Sequence, residues 1–399
     1  MDPTIRFFAF LIIALITPTP TWSCTIFCAK DSHGHVWTGN NEDARFSLGT
    51  KANVVTKTDS TLGFIWYNYE NNRYAQGGIN EAGLFYDLNA VPPSDIKNVD
   101  QKTTFPGVNI EDFYLYLLGH CKTVPEVIEF YSKYKMPWMT TAQMNVADKQ
   151  GNLGIINADS AWILNANYSI STNYNLSHPD RDNITCWRYP IADEILLESE
   201  PNFETFTKIC DATSQRKIFN TIFSSICNLN TGELWFYYAW DYENPHKTTL
   251  QELLAMGDTV LMMRDWFPER KLVKAYHSYI EYDFNTASGV LDEIDDPQMR
   301  ADMLKLLSID MLAGSTRDRA TNELVVQIID ASNDVGLLRW LNRLATTEEN
   351  RELALKKIRS IQMANVIDNA LFWPIMIGGL IILLIAFLKK RNKRQLIKN

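Results

Sequence analysis

The sequence predicts a layered body of mixed helices and sheets (α+β) over residues 24–255, a helical region over 256–368 and one membrane-spanning helix over 369–388. Three observations predict this. Short aromatic and β-branched runs broken by turn residues stand on both sides of a helical stretch, as strands of layered sheets do. After about Thr248 the pattern changes to long amphipathic runs such as MRADMLKLLSIDML and NELVVQIIDA, interrupted at Gly314 and Gly336. Finally, Ala370 to Leu388 is nineteen residues without a charge, followed at once by KKRNKR. That length matches the hydrocarbon thickness of a bilayer, and the basic cluster should stay in the cytoplasm, with residues 389–399 as an inner tail and the body outside.

The chain opens with a three-part leader. Arg6 precedes the apolar run Phe7–Ile16, Pro18 and Pro20 follow, and Thr21 and Ser23 occupy the −3 and −1 positions before Cys24. This is a secretory signal over residues 1–23, too short to span a bilayer well. An uncleaved anchor and a lipidated cysteine are the alternatives; Thr21 and Trp22 do not suit the second.

The body then reads as TIFCAK, HVWTGNN, GFIWYNYE, RYAQGGI and GLFYDLN, each a strand. Ile110 to Lys135 carries apolar residues at three-to-four spacing and is predicted helical. QMNVADKQGNLGII turns at Lys149–Asn152, and SSICNLNTGELWFYYAW turns at Asn228–Gly232. The aromatic residues of WFYYAWDY are expected to pack a core.

Charge removes one class of function. Net charge is −9, and the last eleven residues hold six basic side chains and no acidic one, which leaves −15 on the rest. A body that acidic is unsuited to nucleic acid, whose phosphates demand Lys and Arg. The six cysteines are too sparse for a disulfide scaffold. Cys24 and Cys28 lie four residues apart on one strand, a poor geometry for pairing. His33 and His35 fall in a turn with no third ligand nearby, so no metal and no cofactor is expected.

Chemistry concentrates at Cys24. Once the leader is removed, this residue carries a thiol and an α-amine together. The amine has a reference pKa of roughly 7.7–8.0 and can accept the thiol proton near neutrality. With Asp31–Gly34 as the turn of the first hairpin, the register places Asn41 opposite Cys24 and brings the run Asn40, Asn41, Glu42, Asp43 beside it. Asp43 is the carboxylate suited to hold the amine.

The stretch from CTIFCAKDSHGHVWTGNNED onward resembles the choloylglycine hydrolase and penicillin V acylase family of N-terminal-nucleophile hydrolases. There an N-terminal Cys is followed after sixteen residues by Arg and after nineteen by Asp; here those offsets hold Asn40 and Asp43. NEAGLFYDLN resembles the family's N-E-K-G-L…L-N strand, one residue shorter, and LLGHCKTVPEVIEFYSKY and MNVADKQGNLGII resemble its next helix and central hairpin. STNYN resembles the segment with an oxyanion-hole asparagine, and WRYPIADEIL the one with a late active-site arginine. The likeness runs from about Cys24 to Asp241.

The resemblance implies a four-layer αββα sandwich with Cys24, Asp43, Asn89, Asn173 and Arg188 as catalytic residues. It implies attack of the Cys24 sulfur on a linear amide, a thioester, and hydrolysis. Asn89 and Asn173 would donate to the oxyanion, and Arg188 would stabilise charge near the thiolate. Asn40 and Arg45 are the expected substrate-binding residues. Asn40 departs from the family arginine, and Arg45, two residues beyond Asp43, points the same way if the strand continues. Without a compensating cation, specificity for bile salts or penicillins does not carry over. A cysteine dipeptidase or acyltransferase of the same superfamily, or an inactive surface receptor for acylated ligands, remains open. The partners expected are a small-molecule amide and the membrane, with a protein docking on the helical region as a further candidate.

Overall fold

The computed structural model describes residues 24–364, apart from 45–48, 70–74, 96–101, 107–109, 159, 177–185, 216–219 and most of 281–346. The leader over 1–23, Arg45 and the span expected at 369–388 therefore lie outside the described residues. Among those described, no helix is long and apolar enough to cross a membrane. The chain divides into two compact units, Met1–Lys274 and Ala275–Asn399.

The first unit is built on two antiparallel sheets. One has the order β12-β1-β2-β13-β14-β15, with β1 Thr25–Lys30, β2 Val36–Ala44, β12 Tyr168–Ser171, β13 Asn220–Asn228, β14 Glu233–Tyr238 and β15 His246–Thr249. The other has the order β11-β10-β9-β6-β5-β4-β3-β16, where β3 is Thr50–Val55, β4 Phe64–Tyr69, β5 Gly77–Asn80, β6 Leu84–Ala90, β9 Ala142–Asp148, β10 Leu153–Asn157, β11 Ala161–Ile163 and β16 Thr259–Met262. A short parallel pair, β7 Thr103–Thr104 and β8 Tyr134–Lys135, stands apart.

Alternation along each strand decides what each face meets. Phe27, Ala29 and Trp37 of the first sheet bury against Ile195, Leu196, Phe206 and Ile209. Those residues belong to helices numbered here α3 (Arg188–Glu198) and α4 (Phe203–Thr213). Leu84, Tyr86, Met144 and Val146 of the second sheet bury against Phe113, Leu117, Val127 and Tyr131. These lie on α1 (Ile110–His120) and α2 (Val124–Lys133). The remaining faces meet each other, as Tyr67 of β4 does with Phe223 and Phe236 of β13 and β14 at ring-centroid separations of 5.7 and 5.8 Å. Helices, sheet, sheet, helices is the resulting order. The aromatics of WFYYAWDY pack in this core: Trp235 and Tyr237 face the helices, and Phe236 faces the other sheet.

Three expectations need correction. The helical stretch Ile110–Lys135 is two helices. Thr123 breaks it because its side chain caps the N–H of Glu126, and Pro125 follows in the first turn. Residues 259–262, assigned from sequence to the helical region, form β16, which pairs with β3 from Thr259↔Val54 to Met262↔Lys51.

The third correction matters most. The first hairpin's loop is Asp31–His35, one residue longer than DSHG, so Thr25 pairs with Asn41 and Ile26 with Asn40. Asp31 organises the loop by accepting from the N–H groups of His33 and His35 at 2.9 and 2.8 Å. Gly34 supplies the left-handed step at φ +83°. Continuing the register one residue sets Cys24 against Glu42, not Asn41.

In the second unit the described helix 348–364 turns Ala354 and Ile358 inward, and Lys357 Nζ donates to Asp330 O at 2.7 Å.

Candidate active site

Cys24 sits at the foot of β1, 5% exposed, and its Sγ lies 4.0 Å from the backbone oxygen of Asp43. All six cysteines are unpaired thiols, so Cys24 and Cys28 are not bridged. Among the described residues no group of His, Cys, Asp and Glu has the makings of a metal site.

Asp43 is fully buried on β2, on the sheet face that meets the helices. Arg188, the first residue of α3, is 2% exposed and donates from Nη1 to Asp43 Oδ2 at 2.9 Å. Gln215 Nε2 donates to the same oxygen at 2.8 Å, and Thr221 Oγ1 donates to Asp43 Oδ1. The Thr221 contact depends on a bulge. Thr221 pairs with Asp43 and Phe223 with Glu42, so Ile222 is the extra residue, a device that re-aims a strand beside a site. Burial pushes the Asp43 carboxyl up to about 6, although Arg188, Thr221 and Gln215 all pull it down.

Arg188 also donates to Thr25 Oγ1 at 2.9 Å and to Asn173 Oδ1 at 2.6 Å. One guanidinium thus ties together the residue after Cys24, the Asp43 carboxylate and Asn173. The planar fork of arginine suits it to such a junction. Asn173 in turn donates from Nδ2 to Ala90 O at 2.7 Å. Asn89, at the end of β6, donates from Nδ2 to Thr172 O and accepts from Ser171 Oγ at 2.5 Å. Cys24, Asp43, Asn89, Asn173 and Arg188 come from five separate segments. Arg188 joins Asp43 and Asn173 directly, the Cys24 thiol contacts the Asp43 backbone, and Asn89 bonds to Thr172, the residue before Asn173. Asn40 faces the other sheet, with Oδ1 accepting from the Ser225 N–H and hydroxyl at 3.1 and 2.5 Å. Asn40 Nδ2 is buried with no acceptor among the described residues.

Sequence reasoning missed two carboxylates. Glu42, 1% exposed, accepts from Tyr69 OH at 2.6 Å through Oε1, while Oε2 finds no donor among the described residues. Asp87 of β6, equally buried, has neither oxygen satisfied among them. Burial pushes Glu42 up to about 8 against the hydrogen bond from Tyr69. Burial, and then the charge of Glu42, holds Asp87 well above the ordinary range. Burial raises the Cys24 thiol well above its usual value too, reinforced by Glu42, Asp43 and Asp87. The thiol is therefore protonated here and needs a base to become a nucleophile. The signal for Glu42 was in the sequence: a loop longer by one residue puts it on the face of Cys24.

The fold and the site define an α/β sandwich with a cysteine at the foot of a central strand and a buried aspartate–arginine junction behind it. Solved structures similar to the chain include a single-residue variant of conjugated bile acid hydrolase from Clostridium perfringens, at 12% identity over 60% of this chain and 96% of that one, TM-score 0.44. Penicillin V acylase from Agrobacterium tumefaciens matches at 15% identity over 59% and 90%, TM-score 0.41. The Caenorhabditis elegans ortholog of N-acylethanolamine-hydrolyzing acid amidase matches at 18% over 52% and 93%, TM-score 0.40. No protein-family model and no curated protein matches the sequence.

Proposed function

We propose that the chain is an amidohydrolase of linear, non-peptide C–N amides, with Cys24 as nucleophile after removal of residues 1–23 and the body held on the outer side of a membrane by residues 369–388. The observation that supports this reading is the Arg188 junction, which bonds Thr25, the residue next to Cys24, together with Asp43 and Asn173.

Leader removal frees the α-amine of Cys24, which takes the proton from the thiol. The sulfur attacks the amide carbonyl and forms the C–S bond, and negative charge collects on the carbonyl oxygen. Asn89 and Asn173 supply hydrogen bonds to that oxygen; an amide nitrogen carries two N–H donors, so Asn89 retains one beyond its bond to Thr172. Collapse breaks the C–N bond, the leaving amine takes the proton from the α-ammonium, and a thioester remains. Water, losing a proton to the regenerated α-amine, attacks the thioester, and the α-ammonium returns that proton to the departing sulfur, which releases the acid and restores the thiol. Arg188 keeps Asp43 ionised and fixes Asn173, so the wall of the site stays in place through both steps.

The test is intact mass of the mature protein mixed with N-acyl amine and N-acyl amino acid probes, with amine release measured in parallel. The expected result is an acyl adduct on Cys24 that hydroxylamine discharges, with no adduct and no amine release in Cys24→Ala. Amine release that persists in Cys24→Ala overturns the assignment.

A further inference from the structure

We propose that Glu42, not Asp43, is the residue that positions the α-ammonium of mature Cys24. The inference rests on the N-terminal cysteine reading above and names a positioning group which that reading lacks.

Geometry separates the two carboxylates. Thr25 pairs with Asn41 and Ile26 with Asn40, so Glu42 is the residue across from Cys24. Side chains alternate along both strands. Asn41 Nδ2 donates to Cys210 O and Thr213 Oγ1 of α4 at 2.8 and 3.0 Å, and Asp43 reaches Arg188, so these two point to the helices. Cys28 Sγ instead donates to Asn145 Oδ1 of β9 at 3.8 Å, and Glu42 meets Tyr69 of β4, so Cys24, Cys28, Asn40 and Glu42 point between the sheets.

Capacity separates them as well. Asp43 already accepts from Thr221 at one oxygen and from Arg188 and Gln215 at the other. Glu42 Oε2 and both oxygens of Asp87 are buried without a donor among the described residues. A carboxylate at that depth with nothing to pair it is costly. Leader removal creates an ammonium with three N–H donors one cross-strand step away. The titratable groups acting on Glu42 and Cys24 are Tyr69 from β4, Asp87 from β6, Asp43 from β2 and each other, all acids or neutral donors. A cation at the new terminus would draw the raised Glu42 carboxyl back toward its ionised form.

The test reads the amine directly. Acylation of the Cys24 α-amine by acetic anhydride is followed against pH by peptide mass in the wild type, Glu42→Gln and Asp43→Asn, after intact mass has shown that each begins at Cys24. Glu42→Gln should lower the midpoint by about one pH unit, a tenfold change in the acid constant, because the anion that favours the ammonium is gone. Asp43→Asn should move it less. Tyr69→Phe keeps the carboxylate but loosens its orientation, so it should shift the midpoint the same way by a smaller amount, and it serves if Glu42→Gln does not fold. A midpoint unchanged in Glu42→Gln or in Tyr69→Phe, or a larger shift in Asp43→Asn, overturns the proposal. A mass placing the first residue elsewhere instead ends the hydrolase reading itself.

Discussion

At the scale of single residues, burial and pairing together set what each side chain does. Arg188 and Asp43 form an ion pair with 2% and 0% of their side chains exposed. Two such charges are tolerated only because Thr25, Asn173, Thr221 and Gln215 satisfy the rest of their hydrogen-bonding capacity. Arg188→Ala leaves the buried Asp43 carboxylate without its counter-charge and should cost about 3–5 kcal/mol, seen as a fall in the denaturant midpoint. Asn173→Ala should lower turnover by about 10²–10³ while leaving the acyl adduct detectable. Which residues meet was partly legible in the sequence. Asp43, Asn173 and Arg188 sit in segments whose resemblance is specific, and the structure joins them. Asp87 was not legible, because a carboxylate reads as a surface residue until strand register shows which face it takes. Glu42, named in the run beside Cys24, was passed over because the expected hairpin register was one residue off. Arg45, set out as the compensating cation, falls outside the described residues.

At the scale of elements, the site depends on how β1 and β2 lie together. Gly39 is the requirement in that pair: a Cβ there would stand 2.6 Å from Phe27 Cε2 and 3.1 Å from Phe206 Cδ1. Phe27 cannot yield, since its ring packs on Phe206 at a centroid distance of 5.0 Å. Gly39→Ala should therefore destabilise by about 1–3 kcal/mol and loosen the strand that carries Asn40, Glu42 and Asp43. Thr123→Ala removes the cap of α2 and should cost about 1 kcal/mol without touching turnover, which a thermal melt and an activity assay together would show. Hairpins with clear turn chemistry were readable: Lys149–Asn152 and Asn228–Gly232 both fall between paired strands. Edge strands were not. β15 and β16 are four residues each, too short for a periodic pattern, and only their pairing with β14 and β3 defines them.

At the scale of the whole molecule, the buried acids give stability a direction in pH. Asp43 and Glu42 titrate at about 6 and about 8 in the fold, against 3.8 and 4.5 as the ordinary values. Between those limits the folded chain binds protons that the unfolded chain has already released. Stability therefore falls as pH rises from about 4 to about 8. The melting temperature of the chain with its leader attached should drop across that window; a flat or rising curve contradicts the burial described for these acids. The layered architecture was legible because alternation and turn residues are local signals, whereas the order of strands within each sheet is not local. The most direct test of the central claim is N-terminal sequencing of the mature protein with its intact mass. The expected result is a chain that begins at Cys24 with an unblocked α-amine. A chain that begins at any other residue, or a blocked amine on Cys24, contradicts the claim.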